Sequence, residues 1–156
     1  MIEVVIPGFG ELRLEHVVCD YNGTLALDGL VLPGVDQALR LLASDLRIHV
    51  VTADTFGQAT ARLADLPVEL TILVAESQTA AKLEYVTKLG GESVAALGNG
   101  RNDAGMLKAA RLGIALVQGE GAAAETLAAA DIVAVSVLDA LALLGEPRRL
   151  IATLRS

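Results

Sequence analysis

Residues 18–25 read Val-Cys-Asp-Tyr-Asn-Gly-Thr-Leu. An apolar strand, His16 to Cys19, runs straight into an aspartate, and Gly23 and Thr24 follow at once. An ionised carboxylate at the tip of a buried strand costs free energy unless something compensates it. Asp before Asn-Gly also suits an ordinary tight turn. The rest of the chain decides between a turn former and a functional acid.

Upstream, residues 2–6 alternate like a strand, Pro7-Gly8-Phe9-Gly10 is a turn, and residues 11–15 complete a small hairpin. Downstream, Leu32-Pro33-Gly34 opens a helix through Ser44, with Val35, Leu39 and Leu42 at helical spacing. Strands are predicted over 48–51, 68–74, 93–97, 114–117 and 132–135. Helices are predicted between them, over 56–66, 79–89, 103–111 and 122–130, with Gly90-Gly91 and Gly113 closing two of them. A last helical region bends or breaks near Pro147. This alternation predicts an α/β domain spanning residues 1–156: a doubly wound, Rossmann-like parallel sheet with helices on both faces and a small N-terminal hairpin.

Composition agrees. The 156 residues are 53% apolar but only 3% aromatic, a mixture suited to helices packed on a sheet. Nineteen acids against 12 bases give a net charge of −7 with no basic tract, which disfavours nucleic acid and anionic membrane surfaces as partners. The lone cysteine, Cys19, excludes an internal disulfide and reads as buried filler. The N-terminus lacks the basic start and apolar stretch of a signal peptide. The apolar region 122–144 is interrupted by Glu125, Asp131 and Asp139, so no membrane span is expected, and a cytoplasmic protein is the default.

In doubly wound sheets ligands sit at the carboxyl ends of the strands. Four polar groups fall there: Asp20; Thr52, in Val-Val-Thr-Ala-Asp-Thr; Lys82, on the helix after Ser77; and the loop Gly98-Asn99-Gly100-Arg101-Asn102-Asp103. Each has a bland alternative. Thr52 could satisfy backbone groups at a strand end, and lysines on helices are usually solvated. Lys88 is a rival whose place on the helix points it elsewhere. Asp54 reads as a helix cap, His16 and His49 as structural, and Arg101 as a surface or mouth residue.

Taken together and in this order, the four motifs resemble those of the haloacid dehalogenase superfamily of phosphotransferases and phosphatases. The nearer likeness is to the phosphorylation domain of P-type ATPases. Asp20-Tyr-Asn-Gly-Thr24 is similar to their Asp-Lys-Thr-Gly-Thr. Thr52-Ala53-Asp54 is similar to Thr-Gly-Asp, and residues 98–104 to Gly-Asp-Gly-x-Asn-Asp-Ala. Over about residues 14–135 the chain resembles the soluble P-type ATPase-like group, a phosphorylation domain standing alone. That resemblance implies a Mg²⁺-dependent phosphohydrolase acting through an aspartyl-phosphate on Asp20, with Thr52 and Lys82 on the phosphoryl oxygens. It implies phosphate contacts from Asn22, Gly23, Thr24, Thr52, Ala53, Lys82 and Asn102. The metal ligands it implies are Asp20, Asn22 through its main-chain carbonyl, Asn99 and Asp103.

The sequence departs from the superfamily at two places. Asn22 stands where most of its phosphatases carry a second aspartate, and an amide cannot exchange a proton at neutral pH. Slow turnover with a bias toward good leaving groups is expected. Asn99 stands where a metal-binding aspartate is usual, so weak Mg²⁺ affinity is expected. Neither inter-motif segment has room for a cap domain. An open site suits a phosphorylated small molecule, a phosphorylated macromolecule, or a homo-oligomer whose neighbour closes the pocket. The competing reading is a catalytically degenerate phosphate- or metal-binding regulatory domain. A response-regulator receiver fits less well, because there the acceptor aspartate ends the third strand behind an acidic pair.

Overall fold

The computed structural model describes residues 1–156. The chain opens with an antiparallel hairpin, β1 (Ile2–Ile6) and β2 (Gly10–Leu14), paired from Ile2 opposite Leu14 to Ile6 opposite Gly10. Its inward side chains, Ile2, Val4, Ile6, Leu12 and Leu14, are buried while those between them point to solvent. β3 (His16–Cys19) follows, then a short antiparallel flap, β4 (Ala26–Leu27) and β5 (Leu30–Val31). From sequence that region reads only as turns. Each flap strand is two residues long, too short for alternation to show. A fully buried Tyr21 anchors the flap by donating from its hydroxyl to the Gly29 carbonyl at 2.8 Å.

Helix α1 (Val35–Leu42) then leads to β6 (Arg47–Thr52), and α2 (Ala59–Leu63) to β7 (Val68–Ile72). α2 is much shorter than the helix expected over 56–66. Asp54 and Gly57 both take positive φ, 51° and 69°, which bends residues 54–57 out of any helix. At the other end Pro67 disfavours helical backbone at Leu66. α3 (Gln78–Leu89) ends at Gly90, whose φ of 83° suits a residue without a Cβ. β8 (Val94–Gly98), α4 (Ala104–Ala109), β9 (Leu112–Leu116), α5 (Ala124–Ala129) and β10 (Ile132–Ala134) continue the alternation. Gly113 lies inside β9 and does not close the preceding helix. A Cβ there would sit 2.5 Å from the Leu107 carbonyl oxygen, so the glycine permits close packing of α4 on the strand. The chain finishes with α6 (Val137–Gly145) and α7 (Pro147–Leu154), broken at Pro147.

The six-stranded sheet runs in the order β10-β9-β8-β3-β6-β7, with every pairing parallel. Side chains alternate between its faces. Val17, Cys19, Ile48, Val50, Ala95 and Leu97 join a large cluster with the hairpin, α1, α6 and α7. Val18, Val51, Val94 and Ala96 join a smaller one with α3 and α4. β3 sits at the centre, flanked by β6 on one side and β8 on the other. The chain leaves β3 toward β6 and β7, then returns past it to β8. The strand order therefore reverses beside the carboxyl end of β3, where doubly wound sheets hold their ligands. No helix is long and apolar enough to cross a membrane.

Candidate active site

The ladder between β3 and β8 extends one step beyond Cys19: the Asp20 amide donates to the Leu97 carbonyl at 2.9 Å. Asp20 is thereby fixed by backbone bonds at the strand tip, with 7% of its surface exposed. The chain then turns sharply, and the Tyr21 carbonyl accepts the amides of Thr24, Leu25 and Ala26. Gly23 sits in that turn at φ 82°. Cys19 is sealed behind the site, where burial pushes its thiol up to about 12, far from a reactive thiolate.

Lys82 reaches this aspartate from α3. Its ammonium lies 2.8 Å from Asp20 Oδ1, 2.7 Å from Asp103 Oδ1 and 3.0 Å from Asn102 Oδ1, so all three of its protons have acceptors. Burial alone would push its pKa down. The attraction of the two carboxylates and their hydrogen bonds outweighs that, and the net shift is upward. Lys82 therefore stays charged. Burial drives the Asp20 carboxyl up to about 7, the nearby Asp103 charge adds to the rise, and Lys82 opposes it. Lys88, the rival, is exposed and pairs with Glu84 one helical turn away.

Asp103 is buried at the end of the β8 loop. Its Oδ1 accepts from Lys82, and its Oδ2 accepts the backbone amides of Asn99 and Gly100 at 3.0 and 2.9 Å. Both oxygens are thus committed within the protein. Gly98 makes this approach possible, since a Cβ there would lie 2.6 Å from the Asp103 Cβ.

Opposite stands Thr52, the last residue of β6, 4% exposed. Its Oγ1 accepts the Asp54 amide at 3.0 Å, which leaves its hydroxyl proton free to donate. Asp54 itself faces away and holds the amides of Gln58 and Ala59 at the start of α2, as a cap. Arg101 pairs with Glu125 on the outer surface. His16 and His49 bond to each other, and His49 to the Tyr85 hydroxyl, so both serve the packing.

Between Asp20 and Thr52 lies a polar cavity of about 320 Å³ with no apolar side chain in its wall. Of the residues singled out in the sequence, Asp20, Asn22, Thr52, Asn99 and Asn102 line it, while Lys82 and Asp103 lie behind that wall. Thr55, Gln78 and Glu120 line it too and were not foreseen. Gln78 accepts from the Asn102 amide at 3.3 Å. Gln118, also unforeseen, donates to the carbonyls of Gly23 and Thr24 and accepts the Val137 amide, tying the turn after Asp20 to α6. Neither Glu120 nor the glutamines belong to any of the four motifs. Asn22 turns its side-chain oxygen to the flap, accepting the Gly29 amide at 3.0 Å. Thr24 is fully buried, and its hydroxyl is the one buried side-chain polar atom without a partner. Ala53 is half-buried beside Thr52.

The space over Gly23 is bordered by the Glu120 carboxylate and the Asn99 amide. A Cβ on Gly23 would run into Asn99 Nδ2 and the Glu120 carboxylate, and would lie 2.6 Å from Asn99 Oδ1. The Asn22 carbonyl takes no backbone amide. Carboxylate, carbonyl and amide oxygens suit a hard divalent cation. The donor set fits such an ion.

No protein-family model matches the chain. Uncharacterized protein MJ0073 of Methanocaldococcus jannaschii is 42% identical over 83 residues, covering 51% of this chain and 89% of that protein. Among solved structures, the 3-deoxy-D-manno-octulosonate 8-phosphate phosphatase from Yersinia pestis superposes with a TM-score of 0.67. It is 18% identical and covers 96% of this chain and 95% of its own. The corresponding phosphatase from Moraxella catarrhalis, in complex with magnesium ion, phosphate ion and KDO, gives 0.66 at 18% identity, over 89% of this chain and 90% of its own. A zinc-transporting PIB-type ATPase gives 0.63 at 28% identity, over 79% of this chain but 20% of the pump. The likeness to the phosphatases is one of fold, and it bears out the haloacid dehalogenase architecture without a cap.

Proposed function

We propose that this chain, which belongs to the same family as MJ0073 and carries the haloacid dehalogenase fold, is a divalent-metal-dependent phosphohydrolase acting through Asp20. One observation carries the reading: a carboxylate at the central strand tip, bonded to a buried lysine and facing a threonine hydroxyl across a polar cavity. The phosphatases of similar fold and the ATPase domain support it.

In this reading a divalent cation, Mg²⁺ by the oxygen-rich donor set, is held by Asp20, the Asn22 carbonyl and Asn99. Its chemistry is to offset the phosphoryl charge that repels a nucleophile. A carboxylate oxygen of Asp20 attacks phosphorus, the bond to the leaving oxygen breaks, and an aspartyl-phosphate remains. Thr52 donates its free hydroxyl proton to a phosphoryl oxygen. Lys82 orients Asp20 and compensates charge as it develops. Asn102 and the backbone around Gly23 complete the phosphate contacts, with Thr24 and Ala53 shaping that backbone. Asp103, with both oxygens committed, positions Lys82 and the β8 loop. Asn22 cannot protonate the leaving group, so solvent must. Good leaving groups, such as acyl or aryl phosphates, react fastest. Water then attacks the aspartyl-phosphate, releasing phosphate and restoring the carboxylate.

The open cavity suits a phosphorylated small molecule or an exposed phosphoryl group on a larger partner. The amides at 22 and 99 favour one second reading, a binding domain without turnover. Assaying aryl and alkyl phosphates with Mg²⁺, against an Asp20→Asn control, separates the two. Turnover of aryl phosphates that Asp20→Asn abolishes supports the hydrolase. Mg²⁺-dependent binding of a phosphate analogue with no turnover on either class overturns it.

A further inference from the structure

The loop Gln118-Gly119-Glu120-Gly121 after β9 belongs to none of the four motifs, yet it reaches the cavity. It is fastened on both sides of Glu120. Before it, the Gln118 amide group donates to Thr24 at 2.9 Å and to Gly23 at 3.3 Å. After it, Gly121, at φ 71°, offers its carbonyl to the Asn99 Nδ2 at 3.1 Å. The Ala123 amide also donates to the Asn99 carbonyl at 2.9 Å. Glu120 is thus held between the nucleophile turn and the β8 loop, and its carboxylate enters the space over Gly23 that the Asn99 amide also borders.

This arrangement gives the amide at position 99 a purpose. An aspartate has no proton to give the Gly121 carbonyl at neutral pH. Asn99 donates there and fastens the loop that carries a carboxylate, while both ends of its amide border the space over Gly23. The charge that Asn99 lacks arrives on Glu120.

We infer that Glu120 is the second carboxylate ligand of the divalent cation, replacing in charge what Asn99 supplies only as a dipole. Charge supports this. With Asp20 ionised, Asp20 and Asp103 against Lys82 leave one uncompensated negative charge in the site. Glu120 adds a second, which a divalent ion neutralises. A hard cation prefers carboxylate and carbonyl oxygens, and those of Asp20, Asn22, Asn99 and Glu120 all adjoin the cavity.

The inference rests on the cation site of the proposed function, and its test keeps the two apart. Mn²⁺ binding is measured by electron paramagnetic resonance on the parent, Glu120→Gln, Asn99→Asp/Glu120→Gln, Asp20→Asn and Glu125→Gln proteins. Glu120 is exposed on its loop, so its substitution leaves the core intact. The expected result is about tenfold or greater loss of Mn²⁺ affinity in Glu120→Gln. Asn99→Asp/Glu120→Gln should return to within a few-fold of the parent. Glu125→Gln, which removes an outer-surface charge, should be unchanged. If Glu120→Gln binds Mn²⁺ like the parent while Asp20→Asn does not, the inference fails and the Asp20 site stands. An equal loss in Glu125→Gln also overturns it, since the effect would then be diffuse charge. If the parent itself binds no Mn²⁺, both readings fall.

Discussion

Lys82 Nζ lies 2.7 Å from Asp103 Oδ1, and neither side chain is more than 1% exposed. The pair joins α3 to the β8 loop and holds the lysine where Asp20 needs it. An asparagine at 103 would leave Lys82 its Asp20 partner, but its Nδ2 would face either the ammonium or the Asn99 and Gly100 amides, and a buried donor without an acceptor commonly costs about 1–3 kcal/mol. Asp103→Asn should therefore lower stability to urea by roughly that amount and reduce phosphatase activity by about 100-fold or more. Urea titration and aryl phosphate hydrolysis measure the two. A variant as stable and active as the parent would contradict the positioning role.

Asn22 accepts the Gly29 amide through Oδ1, and an aspartate can make the same bond. Asn22→Asp should therefore keep the flap in place while adding a proton donor at the cavity. Its alkyl phosphate turnover should rise by about 10²-fold, the lower end for general acid catalysis. The gain with aryl phosphates should be smaller, because they need less help in leaving. Steady-state rates on both classes decide it; equal gains would speak against a missing acid.

Asp20 carries a carboxyl raised from its ordinary 3.8 to about 7, by burial first and Asp103 second. A raised folded-state pKa gives stability that is full below the ordinary value and fades as pH climbs through the folded one. In chelator-treated protein, the parent should lose stability relative to Asp20→Asn between about pH 4 and 7, by up to ~1.4 kcal/mol per pH unit. Thermal denaturation across that range gives the comparison. Parallel curves would show that burial does not strain this carboxylate.

His49 has the opposite sign. Burial lowers its pKa below the ordinary 6.5; His16 and Arg47 lower it further, and Glu69 opposes them. Stability from a depressed pKa is present above the ordinary value and lost as pH falls through the folded one. Acid unfolding between about pH 6.5 and 5 should be shallower in His49→Gln than in the parent. An unchanged slope there would place the acid sensitivity elsewhere.

Much of the frame was legible in the residues. The strand tips carrying Asp20, Thr52 and Gly98 end where apolar runs end, and burial patterns write such runs plainly. Lys82 was distinguishable from Lys88 by helical phase, since six residues along one helix turn the two side chains to different faces. The two-residue flap strands were invisible, because a period of two needs more residues to declare itself. Gln118 and Glu120 were also hidden. Their importance comes from contacts across about a hundred residues of chain, which no local pattern encodes.

Covalent capture tests the central claim most directly. Protein turning over a labelled aryl phosphate with Mg²⁺ is quenched in acid, digested, and its phosphopeptide sequenced. The account expects an alkali- and hydroxylamine-labile phosphoryl group on Asp20, absent when metal is chelated and absent in Asp20→Asn. Hydrolysis that proceeds with no label on that peptide, and survives Asp20→Asn, would contradict it.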